Sequence, residues 1–303
     1  MLDAVTTVTS LHGRSMAAVV DRLAAVPGRE GRLTHLERLP ARPGRTAPWP
    51  EWAAPSVVEA FRGRGIDQPW RHQAAAAEAA YAGQHVVLST GTASGKSMAY
   101  QLPALTAALE GRGLRGERGA TTLYLAPTKA LAQDQLAGLT ELGLDVRITT
   151  HDGDSGRDQR EWARDHAEYI LTNPDMLHRS LLPGHERWRS FLSQLSFVVI
   201  DECHHYRGVF GAHVAQVLRR LRRICAAYGA QPTFVLASAT VAEAEAAAAR
   251  LTGLDVLAVT GDASPRGEQS PLTASTSRPV SRAAAISGSA TVADASTNVG
   301  LAP

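Results

Sequence analysis

The sequence predicts an α/β domain in which a parallel sheet carries helices on both faces. Seven short apolar runs alternate with helical patterns between residues 56 and 260. The runs are apolar at successive positions rather than at every second one, as strands buried on both faces are. A chain of 303 residues with 44% apolar residues is also long enough to bury one large core.

Each apolar run is bounded by helical or turn-forming sequence. The predicted strands are HVVLST (85–90), TTLYLAP (121–127), LDVRITT (144–150), EYILTN (168–173), LSFVVID (195–201), PTFVLASAT (232–240) and LDVLAVT (254–260). The helical patterns between them include 97–109, 129–141, 211–228 and 241–251. This alternation is typical of strand–helix–strand units.

The two ends of the chain differ from this region. Residues 1–55 are predicted to be an irregular extension, with one amphipathic helix in SMAAVVDRLAAV and a Pro-rich stretch, LPARPGRTAPWPEW, extended across a domain surface. Residues 263–303 are rich in Ser, Ala and Thr and have too little apolar surface to offset the entropy of ordering. We therefore expect the α/β domain over 56–262 and a disordered tail after it.

Composition excludes several classes of protein. Two cysteines, Cys203 and Cys225, make neither a disulfide framework nor a zinc cluster. Neither a membrane span nor a signal peptide is expected, because no long uncharged apolar window is present. A net charge of +2 does not by itself indicate a nucleic-acid partner. The expectation is a soluble cytoplasmic protein.

The stretch STGTASGKS (89–97) is a candidate phosphate-binding loop. It follows a predicted strand, opens a predicted helix and ends in Gly-Lys-Ser, although Thr90 stands where the simplest pattern has Gly. Lys96 is one of only two lysines, and its compact ammonium suits a position between the β- and γ-phosphates. Backbone N–H groups of 93–97 would cradle the phosphates, and Ser97 would bind Mg²⁺. The alternative is a helix N-terminus rich in small residues.

An acidic pair ends the apolar run in VVIDECHH. A carboxylate at the carboxyl end of a parallel strand is where a metal–nucleotide ligand belongs. Asp201 would hold Mg²⁺ mostly through water, and Glu202 would orient or deprotonate the attacking water. The alternative is a solvated strand end. We do not expect Cys203, His204 and His205 to face one metal ion together, because they follow one another so closely.

Three further features are ambiguous when taken singly. The hydroxyl residues of SAT (238–240) could bond the acidic pair and report the nucleotide state, or could form a strand-end turn. Gln73 could read an adenine edge, or could cap the helix that follows it. The run RRLRR (219–223) could be a basic face, or a solvated helix surface.

Two strand-to-helix junctions would suit a nucleic-acid backbone. One contains Thr128 and Lys129 in PTKALAQDQ, and the other contains Thr172 and Asn173 in TNPDML. Hydroxyls and the N–H groups of helix N-termini bind phosphates without reading sequence. The alternative for each junction is ordinary helix capping.

The order of these pieces resembles the superfamily 2 DExH-box helicases. Gln73, TGTASGKS, PTKALAQDQ, TNPDML, DECHH and SAT look like motifs Q, I, Ia, Ic, II and III of that superfamily. Thr90 departs from the Ala or Gly often found there, but TGTASGKS is similar to motif I of one branch, the bacterial mitomycin repair factor A and fungal RecQ-four-like DNA helicases. HDGDSGRDQR, HHYRGVFGAHVAQVLRRLRRI and the Pro-Trp segment 47–52 also resemble that branch.

The resemblance implies a RecA-like fold and an ATP-dependent DNA helicase of the kind that moves 3′ to 5′ on single-stranded DNA and acts in DNA repair. ATP and Mg²⁺ are the implied cofactors. The implied catalytic residues are Lys96, Asp201 and Glu202. The implied ATP-binding residues are Gln73, Thr92, Ala93, Ser94, Gly95, Lys96 and Ser97, with Mg²⁺ on Ser97 and Asp201. Single-stranded DNA would meet Thr128, Lys129, Thr172 and Asn173. Hydrolysis would be linked to movement by His204, Ser238 and Thr240.

Helicases of this superfamily also carry a second RecA-like domain with motifs IV, V and VI and its arginine fingers. No QxxGRxxR-like stretch follows SAT, and family-like sequence stops near SPRGEQ. We therefore expect a truncated or frameshifted chain that holds the first motor domain only. The alternative is a non-catalytic module that binds nucleotide or nucleic acid, or that docks on a partner protein that supplies the second domain. Polarity, DNA over RNA, and the repair pathway are left open by the sequence.

Overall fold

The structure is a computed structural model that describes residues 42–91, 94–111, 118–241 and 243–265. Its sheet contains the seven predicted strands: β1 (Val86–Ser89), β2 (Thr121–Leu125), β3 (Ile148–Thr150), β4 (Tyr169–Thr172), β5 (Leu195–Ile200), β6 (Thr233–Ser238) and β7 (Leu257–Thr260). They lie in the order β3-β4-β2-β5-β6-β1-β7, and every neighbouring pair is parallel. The predicted α/β class with a parallel sheet is confirmed.

Helices connect the strands. Those in the described residues are α1 (Pro55–Gly63), α2 (Arg71–Tyr81), α3 (Ser97–Glu110), α4 (Lys129–Thr140), α5 (Arg157–His166), α6 (Pro174–Met176), α7 (Arg189–Leu192), α8 (Gly208–Ala227) and α9 (Ala244–Thr252). A π-helical turn, Leu177–Leu181, continues α6, and a 3₁₀ turn, Cys203–His205, precedes α8. None of the described helices is long and apolar enough to cross a membrane.

The core lies in two layers, one on each face of the sheet. Along β2, Tyr124 belongs to one layer, whereas Leu123 and Leu125 belong to the other. Successive side chains of a strand point to opposite faces, so a strand covered on both sides must be apolar throughout. This double burial is the reason for the continuous apolar runs.

The carboxyl edge of the sheet is divided by strand order into two halves. Strands β1, β6 and β5 are neighbours and lead into the stretches that contain Lys96, Ser238 and Asp201. Strands β2, β4 and β3 form the other half, and lead into Thr128 and Asn173. Functional loops of open parallel sheets gather at this edge. The fold therefore separates the two predicted sites while joining them at the β2–β5 pair.

The described part of the N-terminal stretch packs on α2 and the turn before it. The Trp52 ring stacks on Tyr81 with 4.0 Å between centroids, and its Nε1 donates to Glu78. The Trp49 Nε1 donates to the Asp67 carbonyl at 2.7 Å. The predicted helix in SMAAVVDRLAAV lies outside the described residues, and so does nearly all of the tail predicted to be disordered.

The basic run RRLRR on α8 contributes to packing. Arg219 and Arg222 donate to backbone carbonyls in the last turn and C-terminus of α9, at 3.1 to 3.4 Å. Arg220 donates to the Leu182 carbonyl at 3.3 Å. Cations at a helix C-terminus satisfy carbonyls that lack an intrahelical partner. Three of the four arginines therefore hold neighbouring segments in place.

Candidate ATP site and nucleic-acid surface

The phosphate-binding loop follows β1 and requires glycine at one position. Gly95 has φ +74°, and a Cβ added there would lie 2.4 Å from Nε2 of Gln73. The Thr90 and Ser94 hydroxyl oxygens are 2.6 Å apart, and both residues are buried. The hydroxyl at the unusual first position of the motif thus links the two ends of the turn. Thr92 and Ala93 lie outside the described residues.

Lys96 lies at the first turn of α3 and is folded back onto the loop. Its Nζ donates to the carbonyls of Thr90 at 3.3 Å and Gly91 at 3.1 Å. Among the described residues it has no carboxylate partner within ion-pair distance. In the described residues the ammonium therefore contacts only the negative ends of carbonyl dipoles. A phosphate would offer it full negative charges instead.

Asp201 follows β5 and is buried beneath two tyrosines. Its Oδ2 accepts hydrogen bonds from Tyr124 at 2.6 Å and Tyr100 at 3.1 Å, and its Oδ1 accepts from the Glu202 N–H at 2.8 Å. Burial, followed by the nearby charges, raises the pKa of both phenols above the usual value of 10. Both hydroxyls therefore stay protonated and can donate to the carboxylate. Sequence reasoning missed both tyrosines.

The two residues expected to bind Mg²⁺ meet around one hydroxyl. The Tyr100 oxygen is 3.1 Å from Ser97 Oγ and 3.1 Å from Asp201 Oδ2. Gln135 Nε2 also donates to Ser97 Oγ at 3.3 Å. A hydroxyl and a carboxylate are the hard oxygen ligands that Mg²⁺ prefers. The residues present therefore fit the ion in both chemistry and proximity.

Glu202 adopts a left-handed backbone conformation, with φ +46°, directly after the strand. Such a conformation is uncommon for a residue other than glycine and often occurs at functional sites. Its carboxylate lies 3.1 Å from His204 Nδ1, and ligand atoms of Glu202, His204 and His205 lie within 4.8 Å of one another. Cys203 is not in this group, and burial raises the pKa of its thiol to about 12. Sequence reasoning expected no shared ion, and did not foresee that Glu202 joins the histidines.

The SAT stretch is bonded to β1, and bonds to the acidic pair were one of its two predicted alternatives. Ser89 Oγ donates to the Ala239 carbonyl at 3.2 Å and accepts from the Val241 N–H at 3.3 Å. The Ser238 hydroxyl is fully buried and lies beside the Cys203 thiol, while Thr240 is exposed. Neither hydroxyl bonds a carboxylate of the acidic pair in the described residues. No sequence pattern indicated this role of Ser89, because a serine within a strand is common.

Gln73 adopts the capping arrangement and also reaches the loop. Its Oε1 accepts from the Trp70 N–H at 2.7 Å at the start of α2, and its Nε2 donates to the Gly95 carbonyl at 2.8 Å. The structure therefore places Gln73 in contact with the phosphate-binding loop. Its reading of adenine stays a prediction.

The junction after β2 combines a helix cap with an exposed cation. Thr128 Oγ1 accepts from the Leu131 N–H at 3.3 Å, which caps α4. Lys129 forms an ion pair with Asp154, and half of its side chain is exposed. Hydrogen bonding to Asp154 raises the pKa of Lys129 above its usual value. Exposed ion pairs are weak, so a phosphate could replace Asp154 at little cost.

At the junction after β4, the position of Thr172 differs from that expected of a DNA contact. Asn173 Oδ1 accepts from the Met176 N–H at 2.9 Å and caps α6. Thr172, in contrast, is buried, and its hydroxyl donates to the His151 carbonyl at the end of β3. Because this hydroxyl holds two strand ends together, it is not available at the surface for a DNA phosphate. Thr172 therefore positions the junction in this structure.

A parallel sheet with a candidate phosphate-binding loop after β1 and a buried carboxylate after β5 is the arrangement expected of a nucleotide-binding motor domain. A family model described as DEAD/DEAH box helicase matches residues 70–248. The chain belongs to this family of superfamily 2 helicases.

Relatives and solved structures agree with the branch that the motifs indicate. The chain is 38% identical over 256 residues to the uncharacterized ATP-dependent helicase YprA of Bacillus subtilis, covering 83% of this chain and 33% of that protein. It is 42% identical over 190 residues to the ATP-dependent helicase HRQ1 of Saccharomyces cerevisiae, covering 60% of this chain and 17% of that protein.

A crystal structure of the DUF1998 helicase MrfA bound to DNA and AMPPNP is also similar. The TM-score is 0.75 at 38% identity, over 84% of this chain and 35% of that one. The chain thus has the RecA-like fold of the MrfA-like branch, and spans about a third of the length of MrfA and YprA.

Proposed function

We propose that this chain is the first RecA-like motor domain of an ATP-dependent DNA helicase, and that it binds ATP, Mg²⁺ and single-stranded DNA. The observation that carries the proposal is the convergence of Ser97 and Asp201 around the Tyr100 hydroxyl, beside Lys96. A hydroxyl at the start of α3 and a carboxylate after β5, both 3.1 Å from one phenol oxygen, are the oxygen ligands that a metal–nucleotide complex would use. A DNA-repair role, as the resemblance implies, is part of the proposal.

The proposed roles follow from position and charge. Lys96 leaves the carbonyls of Thr90 and Gly91 and binds the phosphates, while N–H groups at the start of α3 face them. Ser97 and Asp201 would hold Mg²⁺, which when bound would neutralise charge on the phosphates. Glu202 would orient the attacking water, with His204 as the neighbour that senses its charge.

The half of the edge formed by β2, β4 and β3 is proposed to bind the DNA backbone. Lys129 offers its ammonium once it leaves Asp154, and the capped N-termini of α4 and α6 offer N–H groups. Asn173 contributes its amide NH₂, because only its Oδ1 is used in capping. The DNA-bound MrfA structures support a nucleic-acid partner.

A second function, a nucleotide- or nucleic-acid-binding module without turnover, shares the same residues. The chain spans 33% of YprA and 17% of HRQ1. In related phosphoryl-transfer enzymes an arginine finger is worth about 10³–10⁵ in rate. We therefore expect slow turnover wherever no such arginine reaches the site.

The experiment measures binding of a fluorescent ATP analogue with Mg²⁺, and ATP turnover with and without single-stranded DNA. Lys96→Ala is expected to weaken binding about tenfold or more, since a charge-assisted bond to phosphate is lost. Lys96→Arg tests the shape of the cation, and Arg223→Ala on the exposed end of α8 is the control. DNA-stimulated turnover that Lys96→Ala abolishes supports the motor. Nucleotide binding without turnover supports the module, and absence of nucleotide binding contradicts the motor and the nucleotide-binding form of the module.

A further inference from the structure

His72 connects the phosphate-binding loop to the segment after β7. The ring is buried in the first turn of α2, with Nε2 3.1 Å from the Ser94 carbonyl oxygen. On its other side, the Ala263 N–H donates to Nδ1 at 3.1 Å. Because Nδ1 accepts this bond, the neutral ring carries its proton on Nε2 and donates it to Ser94. One imidazole thus bonds the backbone of both segments.

The segment Asp262–Ser264 contacts the loop region a second time. A Cβ built on Gly91 would lie 3.8 Å from Oδ2 of Asp262. The segment is held in shape by the Asp262 carboxylate, which accepts from the Ser264 N–H at 2.8 Å. The Ala263 carbonyl also accepts from the Arg45 N–H at 2.8 Å. The segment therefore lies beside Gly91 and is joined to Ser94 through the His72 ring.

We propose that His72 is a positioning residue that transmits the state of the phosphate-binding loop to Asp262–Ser264. The inference rests on the proposed function, since nucleotide binding supplies the signal. Lys96 now bonds the carbonyls of Thr90 and Gly91, so phosphates that capture its ammonium release those carbonyls and reshape the turn. Because the buried ring is closely packed, it moves with Ser94 when the loop shifts. This movement changes the hydrogen bond from the Ala263 N–H to Nδ1 of His72.

Three substitutions separate the two bonds of His72. His72→Asn places an amide oxygen near the position of Nδ1, and so keeps an acceptor for Ala263 while losing Ser94. His72→Gln places an amide NH₂ near the position of Nε2, and so keeps a donor for Ser94 while losing Ala263. His72→Phe removes both bonds and keeps a ring in the cavity.

The test is hydrogen exchange measured on two peptides, 86–98 and 257–265, with and without Mg²⁺ and a non-hydrolysable ATP analogue. In the unmodified chain we expect nucleotide to change exchange in both peptides, by about fivefold at the Ala263 amide, which is the worth of one hydrogen bond. In all three variants the loop peptide should still respond, whereas 257–265 should not. The Asn variant alone should retain the basal protection of Ala263.

The outcomes distinguish this inference from the proposed function. An unmodified chain whose loop peptide ignores nucleotide contradicts the proposed function. Two results would overturn the role of His72 alone. In the first, the loop peptide of the unmodified chain responds to nucleotide while 257–265 does not. In the second, 257–265 of the His72→Phe variant responds as it does in the unmodified chain. A merely structural histidine would lower protection everywhere and leave the nucleotide-induced change in 257–265 intact. If the Phe variant does not fold, the Asn and Gln variants carry the same comparison.

Discussion

Buried phenols around Asp201 are the main electrostatic feature of the site. Tyr100 and Tyr124 donate to its carboxylate, and Tyr169 lies close enough for that charge to add to the effect of burial on its pKa. Burial comes first among the causes that raise the pKa of all three phenols. In the described residues the Asp201 carboxylate is held by these two hydrogen bonds and by the Glu202 N–H rather than by an ion pair.

Tyr124→Phe removes the shorter of these bonds. We expect the free energy of unfolding at pH 8 to fall by about 2 kcal/mol, as for a hydrogen bond to a charged group. Because the folded state raises the pKa of this phenol, its contribution is complete below pH 10 and is lost as the pH rises further. Urea unfolding at pH 8 and at pH 10.5 should therefore show a smaller alkaline loss in the variant. Equal alkaline losses in the two proteins would contradict the assignment.

His151 should make the fold sensitive to acid. Burial, and then the Arg160 charge, lowers the pKa of His151 to about 4. A depressed pKa contributes stability that is present above pH 6.5 and is lost as the pH falls towards 4. His151→Phe keeps a ring against Trp188, so it should reduce the loss of unfolding free energy between pH 7 and pH 4.5 by up to about 3 kcal/mol. Chemical unfolding across this range measures the difference, and parallel curves for the two proteins would exclude it.

Alanine should have opposite effects on stability at two glycines that lie within helices. A Cβ on Gly211 in α8 would lie 2.4 Å from the Tyr206 carbonyl oxygen, whereas a Cβ on Gly138 in α4 meets nothing within 4 Å. Gly211→Ala should destabilise by about 1–3 kcal/mol, because the helix must move away from the turn after Asp201. Gly138→Ala should stabilise by about 0.5–1 kcal/mol, since alanine is the better helix former. Thermal unfolding measures the change in stability of both variants. Changes of the same sign would contradict the prediction.

The central strands were predictable because burial on both faces favours a continuous apolar run, whereas β7, at the edge of the sheet, is partly exposed. The start of α8 was not: it begins at Gly208, before the predicted 211–228, with Val209 and Phe210 exposed. Lys96 and Asp201 could be found because their motifs have fixed spacing. Tyr124 could not, since its contact with Asp201 depends on β2 lying beside β5, which no local pattern encodes.

Adjacent strands join the half of the sheet edge proposed to bind nucleotide to the half proposed to bind nucleic acid. Gln135, on the helix that Thr128 caps, donates to Ser97 at 3.3 Å across this boundary. A change at the residues proposed to hold Mg²⁺ would therefore reach α4, whose N-terminus is proposed to face DNA. This link depends on the order of β2 and β5 rather than on any single motif.

Affinity for single-stranded DNA should depend on salt. If three or four phosphates are contacted, log K should fall with log salt concentration at a slope of roughly −2 to −3. Lys129→Ala removes one contact and should reduce the steepness by about 0.7, independently of DNA sequence. Fluorescence anisotropy at several salt concentrations measures the slope, with Arg62→Ala on α1 as the matched control. An affinity that does not change with salt would exclude the proposed surface.

Lysine is scarce in this chain, and its two copies lie in different surroundings. Lys129 is half exposed, whereas Lys96 is partly covered and bonded to its own loop. An acylating reagent that attacks amines therefore meets only two side chains, one at each half of the sheet edge. A dye attached at Lys129 would mark the half of the sheet edge proposed to bind DNA without a cysteine having to be introduced. If the proposed ATP site is correct, bound nucleotide should slow the acylation of Lys96.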